Sequence, residues 1–443
     1  MRVSIKVAIV GAGISGLAAA HALRGQADIT LLEAGDYFGG HTHTVDVTLP
    51  TSQGLVTHGV DTGFLVLNER TYPRLIALLA QLDVATVKSE MSFSVQGSDP
   101  ATGGAIEWSG SSLDTVFAQR ANLLNPRFWG MLRDLLRFNA LTTRIAQSGS
   151  DAELSQPLGE FLRENRFGAA FCDWYFLPMM ACIWSCPTAQ MLQFPVSTMV
   201  RFCYNHGLLQ ITRRPQWWTV QGGARHYVEK IIAGIADKRL NTPVRRIEHL
   251  GSTADGRGGV RIHTDSDTEW FDKVIIATHS DQALKLLAAP TALERDTLGV
   301  IRYQSNQAVL HTDASVLPAR PSAWAAWNYE RAAAPGHQAD RVCLHYLLNR
   351  LQPLPWEQSV IVSLNPLRPI DSNKVIGSYD YAHPVFDLEA VAAQGRMAQL
   401  QGRNGRYFAG AWMGYGFHED GLKAGFAAAA RLLEDLGAHG ATA

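Results

Sequence analysis

Residues 6–33 read Lys6-Val7-Ala8-Ile9-Val10-Gly11-Ala12-Gly13-Ile14-Ser15-Gly16-Leu17-Ala18-Ala19-Ala20-His21-Ala22-Leu23-Arg24-Gly25-Gln26-Ala27-Asp28-Ile29-Thr30-Leu31-Leu32-Glu33. The stretch opens on a β-branched apolar run over residues 6–10, the pattern of a buried strand. A glycine turn follows, then small residues over 15–24 that suit a helix packed close to its neighbours. The apolar run 29–32 predicts a second strand. Strand, turn, helix and strand in about thirty residues point to an α/β fold with parallel pairing. Gly11, Gly13 and Gly16 have the spacing G-x-G-x-x-G. Gly11 permits the tight turn, Gly13 lets backbone approach a pyrophosphate, and Gly16 lets the helix pack near the strand. The helix start at Ile14 and Ser15 offers free N–H groups and a positive dipole end to phosphates. Glu33, twenty residues after Gly13, ends the second strand. A carboxylate there accepts hydrogen bonds from ribose hydroxyls and repels a 2′-phosphate.

Outside this unit, composition bounds the answer. The chain has 443 residues, 47% of them hydrophobic, enough for two interleaved domains or one large α/β domain. Lys and Arg number 39 against 40 Asp and Glu, so no overall basic character points to nucleic acid, and none is expected as a partner. Five cysteines, none in C-x-x-C spacing, read as small buried thiols in a reducing compartment, with no metal site expected. The apolar N-terminus resembles an export leader, but its glycine spacing has the nucleotide explanation, and a cytoplasmic protein is expected. Residues 174–200 carry no charge. Pro178, Pro187 and Pro195 interrupt them, so a buried or membrane-interface segment is expected rather than a spanning helix.

The remaining pattern predicts extended segments over 44–66 and a helix over 71–82 with Leu75, Leu78, Leu79 and Leu82 on one face. Residues 113–205 read as mostly helical. A helix follows Gln221-Gly222-Gly223, a polar turn covers 252–259, and strands cover 259–263 and 274–277. Residues 300–365 alternate like antiparallel strands. The chain ends on a strand at 406–409, a glycine-rich turn, and a helix expected from Gly421 to Leu436.

Residues 31–41, Leu31-Leu32-Glu33-Ala34-Gly35-Asp36-Tyr37-Phe38-Gly39-Gly40-His41, resemble the extended fingerprint of the superfamily of flavin-containing amine oxidases, protoporphyrinogen oxidases and phytoene desaturases. So do Gln221-Gly222-Gly223, the strand Val274–Thr278, and Arg406-Tyr407-Phe408-Ala409-Gly410-Ala411 followed by His418-Glu419-Asp420-Gly421-Leu422. The resemblance spans most of the chain. It implies an α/β fold with a Rossmann-like FAD-binding domain of the GR2 type and an interleaved α+β substrate domain. By that reading residues 1–70, 219–283 and 400–443 form the FAD domain; 71–218 and 284–399 form the substrate domain. The implied FAD contacts are Gly11, Gly13, Ile14, Ser15, Gly16, Glu33, Ala34, Gly39, Gly40, His41, Thr42, Val244, Ala277, Gly410, Ala411, Asp420, Gly421 and Leu422. His41 stands where the superfamily has an Arg near the phosphates. A helix beginning near Gly421 would point its positive end at the flavin edge that gains negative charge on reduction. The C-terminal motif has no cysteine, so non-covalent FAD is expected.

Amine oxidases of the superfamily often place a Lys beside the flavin. The matching stretch, Ile301 to His311, has none, and Asn306 or Gln307 sits nearest the expected place. The middle of the chain is rich in Trp, Phe and Met, which suits an apolar cavity as well as an ordinary core. Arg120, Arg127, Arg133, Arg137 and Arg144 interleave with Leu and aromatic residues. Such a pattern fits either a solvated helix face or peripheral contact with the inner face of the cell membrane. Asp61-Thr62-Gly63-Phe64, His383-Pro384-Val385-Phe386 and Gly414-Tyr415-Gly416-Phe417-His418 resemble a subgroup of bacterial flavoproteins linked to cyclopropane-synthase-like methyltransferases. That resemblance implies desaturation of methylated fatty acyl chains of phospholipids. Amine oxidation with peroxide release, and flavin or lipid binding without turnover, are the other readings. His418, Glu419 and Tyr415 are the candidate catalytic groups, with Asp420 and His345 as further bases by residue type. Carboxylates at 419 and 420 also suit helix caps. No motif specifies the electron acceptor.

Overall fold

Lys6–Val10 is the central strand of a five-stranded parallel sheet in the order Asp237–Arg239, Asp28–Leu32, Lys6–Val10, Lys273–Ile276, Arg406–Phe408. Val7, Ala8, Ile9 and Val10 are all buried. Helices cover both faces of such a sheet, so its strands are apolar on both sides. The computed structural model describes residues 5–99, 102–148, 156–210, 214–251, 258–332 and 341–440. Residues 252–257 of the expected polar turn lie outside them. The sheet takes strands from each of the three chain segments assigned above to the cofactor domain.

The helix Ile14–Leu23 packs against the long C-terminal helix His418–Gly440. Small residues make this possible: a Cβ on Gly425 would lie 2.1 Å from the Ser15 carbonyl oxygen. Inside the nucleotide turn the fit is closer still, since a Cβ on Gly16 would lie 1.9 Å from the Gly11 carbonyl oxygen. The final helix starts at His418, three residues before the expected start, because Asp420 reaches back to accept the Phe417 N–H at 3.1 Å. That return bond is half of a capping box and sets where the helix begins.

The second layer is a seven-stranded sheet in the order Val375–Val385, Arg302–His311, Ile361–Leu364, Cys343–Leu347, Trp327–Glu330, Phe93–Ser98, Ala105–Ser109. It is antiparallel except where Trp327–Glu330 meets Phe93–Ser98. Helices from 113–205 pack on it around a core that includes Phe128, Phe138, Phe171, Trp174 and Phe176. The prolines divide this region as their chemistry requires. Pro187 and Pro195 stand just before the helices Thr188–Met191 and Val196–Asn205, and Pro178 sits in the first turn of Leu177–Trp184; a missing N–H is harmless there. Trp174, Phe176, Met180, Trp184 and Phe194 are buried, so the charge-free stretch is a protein core. Among the described residues no helix is long and apolar enough to cross a membrane. Cys182, Cys186, Cys203 and Cys343 are buried, Cys172 is partly so, and all five are free thiols.

Candidate active site

A single cavity of about 720 Å³ runs from the glycine turn, past the C-terminal loop, into the aromatic interior of the second layer. The first end lies where the strand order reverses, outside the carboxyl ends of Lys6–Val10 and Lys273–Ile276, the place where open α/β sheets bind ligands. Gly11, Gly13, Ile14, Ser15, Glu33, Ala34, Gly39, Gly40, His41, Val244, Ala277, Gly410 and Ala411, among the cofactor contacts that the resemblance implies, line it. Thr62, Gly63, Phe64, Thr242, Thr278 and His279 line it too and were not anticipated as contacts. Asp61-Thr62-Gly63-Phe64 carried a signal in its glycine, which lets the strand end pack against the phosphate-side loop: a Cβ on Gly63 would lie 2.2 Å from the His41 carbonyl oxygen.

Two observations bear on whether a dinucleotide fits. A Cβ on Gly13 would meet nothing within 4 Å, so the turn opens directly onto empty space. His41 is half-buried and lines the cavity, and its buried Nε2 has no hydrogen-bond partner in the protein. A buried orphan nitrogen at a phosphate turn is satisfied by a ligand atom. Burial and the neighbouring His383, His279 and His418 push the His41 pKa well down. The imidazole is therefore neutral and offers a hydrogen bond, not the full charge of an Arg. Phosphate charge falls to the helix N-terminus and backbone amides. Glu33 accepts the Ala12 N–H at 2.7 Å and the Gly35 N–H at 2.9 Å, so its carboxylate also ties the glycine turn to the second strand.

Where the cavity turns inward, three histidines meet. His41 has its ring centroid 5.2 Å from His383 and 6.5 Å from His279, and Tyr381 lies 5.0 Å from His41. His383 is held by a chain of amides. The Gln307 N–H donates to Asn365 Oδ1 at 2.9 Å, Asn365 Nδ2 donates to Asn306 Oδ1 at 2.8 Å, and Asn306 Nδ2 lies 3.1 Å from His383 Nδ1. The backbone N–H at one end fixes every amide orientation after it. His383 Nδ1 must then accept, and Nε2–H becomes the donor edge of a ring that lines the cavity. Burial lowers this imidazole to about 4, so it stays neutral. Asn306, at the place where a Lys was sought, sits behind His383 rather than in the cavity. The Thr62 hydroxyl lies 2.8 Å from Tyr381 Oη and 3.0 Å from His43 Nδ1.

The inner arm is lined by Phe93, Trp108, Tyr175, Met179, Ile183 and Leu364, among other apolar side chains. Glu33 is the only carboxylate among the described lining residues, and they include no Lys.

The expected catalytic groups separate on inspection. His418 and Tyr415 line the cavity. His418 Nε2 lies 2.6 Å from the Tyr227 hydroxyl, Thr42 bonds the same hydroxyl, and the imidazole stacks on Phe64 at 3.9 Å. Burial lowers it to about 3, so it is a neutral, fixed ring. Glu419 lies off the cavity wall. Its carboxylate accepts the Arg74 and Leu75 N–H groups at 2.9 and 3.0 Å and caps the helix Pro73–Gln81. Asp420 accepts the Tyr415 and Phe417 N–H groups, each at 3.1 Å, and burial raises it to about 6. His345 is also off the wall, with Nδ1 2.6 Å from Ser363 Oγ and Nε2 2.9 Å from Glu330. Gly16, Thr42, Asp420, Gly421 and Leu422, expected as cofactor contacts, stand one layer behind the wall. A Cβ on Gly421 would meet Ile14 at 2.7 Å, and Leu422 is fully buried; these positions set the helix crossing that shapes the turn.

The family model described as flavin containing amine oxidoreductase matches residues 14–320. The chain belongs to that family. It is an FAD-dependent oxidoreductase of the amine oxidase type. No curated protein matches the chain. Among solved structures, the cyclohexylamine oxidase of Brevibacterium oxydans IH-35A is similar at a TM-score of 0.66 and 18% identity, over 98% of this chain and 100% of that one. A putative protoporphyrinogen oxidase from Exiguobacterium sp. 255-15 gives 0.65 and 19%, over 98% and 99%. The CLA-producing fatty acid isomerase from P. acnes gives 0.63 and 17%, over 96% and 98%. At these identities the likeness is one of fold.

Proposed function

We propose that this flavoprotein is a dehydrogenase of fatty acyl chains, with the methylated acyl chains of phospholipids as the substrate that the resemblance above implies. The observation that carries the reading is the inner arm: lined mainly by apolar side chains up to Arg214 at its exposed end, continuous with the cofactor end, and without Lys or a free carboxylate. A cationic amine entering it would lose its hydration and gain no counter-charge. An acyl chain loses only unfavourable contact with water. The fatty acid isomerase among the similar structures acts on a fatty acid by its name, which favours the same substrate class.

Non-covalently bound FAD supplies a hydride acceptor. The protein's part is to seat the chain, exclude water and hold the polar groups around the reacting carbon. In this reading His383 Nε2–H donates a hydrogen bond at the junction of the two arms, and Asn306 fixes the tautomer that makes it a donor. His418 is a positioning residue that holds Phe64 on the cavity wall and is itself tied to Tyr227 behind it. One hydrogen leaves as the hydride and the other as a proton; the base that takes that proton is neither Glu419 nor Asp420, whose carboxylates are committed to backbone amides.

Anaerobic titration of the holoprotein tests the reading. Phospholipids carrying methylated acyl chains should bleach the flavin and lose two hydrogens, while a panel of amines should leave the spectrum unchanged. Bleaching by amines alone would return the chain to amine oxidation. FAD released on acid denaturation is the expected sign of non-covalent attachment.

A further inference from the structure

The cavity reaches the surface beside an apolar ridge that its chemistry does not explain. Most of the lining is covered; Ala34, Arg245 and Gln282 are exposed beside the cofactor end, and Gly110 and Arg214 are exposed on the side of the inner arm. Three residues past Gly110, Leu113 is 80% exposed, and it opens the short helix Leu113–Val116. Leu124, at the end of the 3-10 turn Arg120–Leu124, is 90% exposed, and Trp129 in the following helix Pro126–Ser148 is 50% exposed. Leu123 and Leu136 extend the same surface. Five large apolar side chains left in water within twenty-four residues of one another form the kind of patch that marks a binding surface.

The ridge is built, not frayed. The Trp129 indole N–H donates to the Leu123 carbonyl at 3.0 Å, which holds the ring across the turn. Ring contacts then run inward from Trp129 to Phe117 at 5.3 Å, to Phe128 at 5.7 Å and to the cavity wall at Trp108 at 6.3 Å. The exposed tip and the inner arm are joined by one chain of tilted and edge-to-face ring contacts.

Charge identifies what the ridge meets. Residues 113–147 hold five arginines, at 120, 127, 133, 137 and 144, against two aspartates, a local charge of +3 in a chain whose net charge is -1. Asp134 is buried, and Arg133 and Arg137 lie 3.5 and 3.8 Å from it; Asp114 is exposed and pairs with Arg120 at 2.5 Å, and Arg127 pairs with Asp99, which leaves a surplus of two arginines over their aspartate partners. Arginines around exposed Leu and Trp complement an anionic lipid surface, with apolar tips entering the acyl boundary and cations facing headgroups. We propose that the ridge Leu113–Leu124–Trp129–Leu136 docks the protein on an anionic phospholipid bilayer, with the Gly110 mouth of the cavity facing the membrane. The purpose of this docking rests on the acyl-chain reading; its geometry does not.

Co-sedimentation of the full-length holoprotein with vesicles tests it. Wild type should bind phosphatidylethanolamine vesicles containing phosphatidylglycerol, bind phosphatidylcholine vesicles weakly, and be released by salt. Leu113→Ser with Leu124→Ser should weaken binding at least about tenfold. Arg133→Ser with Arg144→Ser should weaken it about fivefold per residue and flatten the salt response. Wild type that ignores anionic vesicles, or variants that bind as well as wild type, would overturn the proposal. So would a wild-type dimer that the leucine pair dissolves, which would give the ridge to a second copy of the chain. Flavin bleaching by detergent-solubilised phospholipid separates the two readings. The leucine variant should bleach at the wild-type rate, since its cavity is intact. Vesicle binding with no bleaching by any lipid supports the ridge and removes the substrate reading alone. Bleaching without vesicle binding removes the ridge alone.

Discussion

If the inner arm holds an acyl chain, affinity must depend on chain length in a way that the wall can be made to change. Each methylene moved from water onto the wall formed by Phe93, Trp108, Tyr175, Met179 and Leu364 contributes about 0.8 kcal/mol, or roughly fourfold in Kd. Four methylenes add about 3 kcal/mol, and the gain stops where the arm ends. Ile183 lies on the wall, in the helix Leu177–Trp184. Replacing it with Trp puts an indole into the arm and moves the stopping point toward the cofactor. Titration of the holoprotein with saturated fatty acids of rising length, read as a shift of the visible flavin bands, measures both. Wild type should gain about fourfold per methylene from medium chains to a plateau, and Ile183→Trp should reach its plateau at a shorter chain. Affinity that ignores length in wild type refutes the reasoning. So does an unchanged plateau in a variant that keeps its flavin and its melting temperature.

Gly16→Ala places a Cβ 1.9 Å from the Gly11 carbonyl oxygen. Overpacking of this kind costs about 1–3 kcal/mol, and the turn that yields is the phosphate turn. Flavin content per protein, read by absorbance, should fall sharply together with the melting temperature. Asp61 is buried among donors: the Thr44 hydroxyl at 2.5 Å, the Ala224 N–H at 3.0 Å and Gln352 Nε2 at 2.8 Å. Asp61→Asn turns an amide NH₂ toward one of them and should cost about 1–3 kcal/mol at neutral pH in urea unfolding. Burial raises Asp61 from 3.8 to about 6. The folded chain thus binds a proton that the unfolded chain has released. Wild-type stability relative to the variant should fall by up to about 3 kcal/mol as pH rises from about 4 through 6. Arg406 and Glu294 form a buried pair at 3.0 Å. Arg406→Met strands the carboxylate and should cost about 3–5 kcal/mol in the same assay, part of which Glu294→Gln in the same chain restores.

The parallel sheet was readable because its information is local. Residues 6–33 hold two strands, a turn and a helix within one continuous stretch, and the hydrophobic period changes visibly between them. The wall residues behind the turn were harder to separate from those in front. Gly421 and Leu422 belong to the same motif as Gly410 and Ala411, yet only the second pair faces the cavity. Which side of a helix crossing a residue takes depends on Gly425 lying against Ser15, four hundred residues away in the chain. No local pattern reports that. Glu419, open in the sequence between catalysis and a helix cap, caps a helix other than its own: a carboxylate at a helix start looks alike whether it serves its own helix or, as here, the first turn of Pro73–Gln81.

The histidine junction was also beyond reach, though its residues were in view. Asn306 attracted notice as the residue replacing a Lys, and taken alone the replacement is only a loss. Its use comes from pairing: Asn306 lies opposite Tyr381 in the register of Arg302–His311 with Val375–Val385, and Gln304 lies opposite His383. That register sets the Asn306 amide 3.1 Å from the His383 ring. A Lys at 306 would bring a cation to a buried site beside a histidine already held neutral, and its desolvation would be uncompensated. An amide there donates to Nδ1 without bringing a charge, and so leaves Nε2–H for the cavity. The absence of the lysine and the neutrality of the three histidines are thus one electrostatic choice. A site with no fixed charge at the junction suits a substrate that brings none.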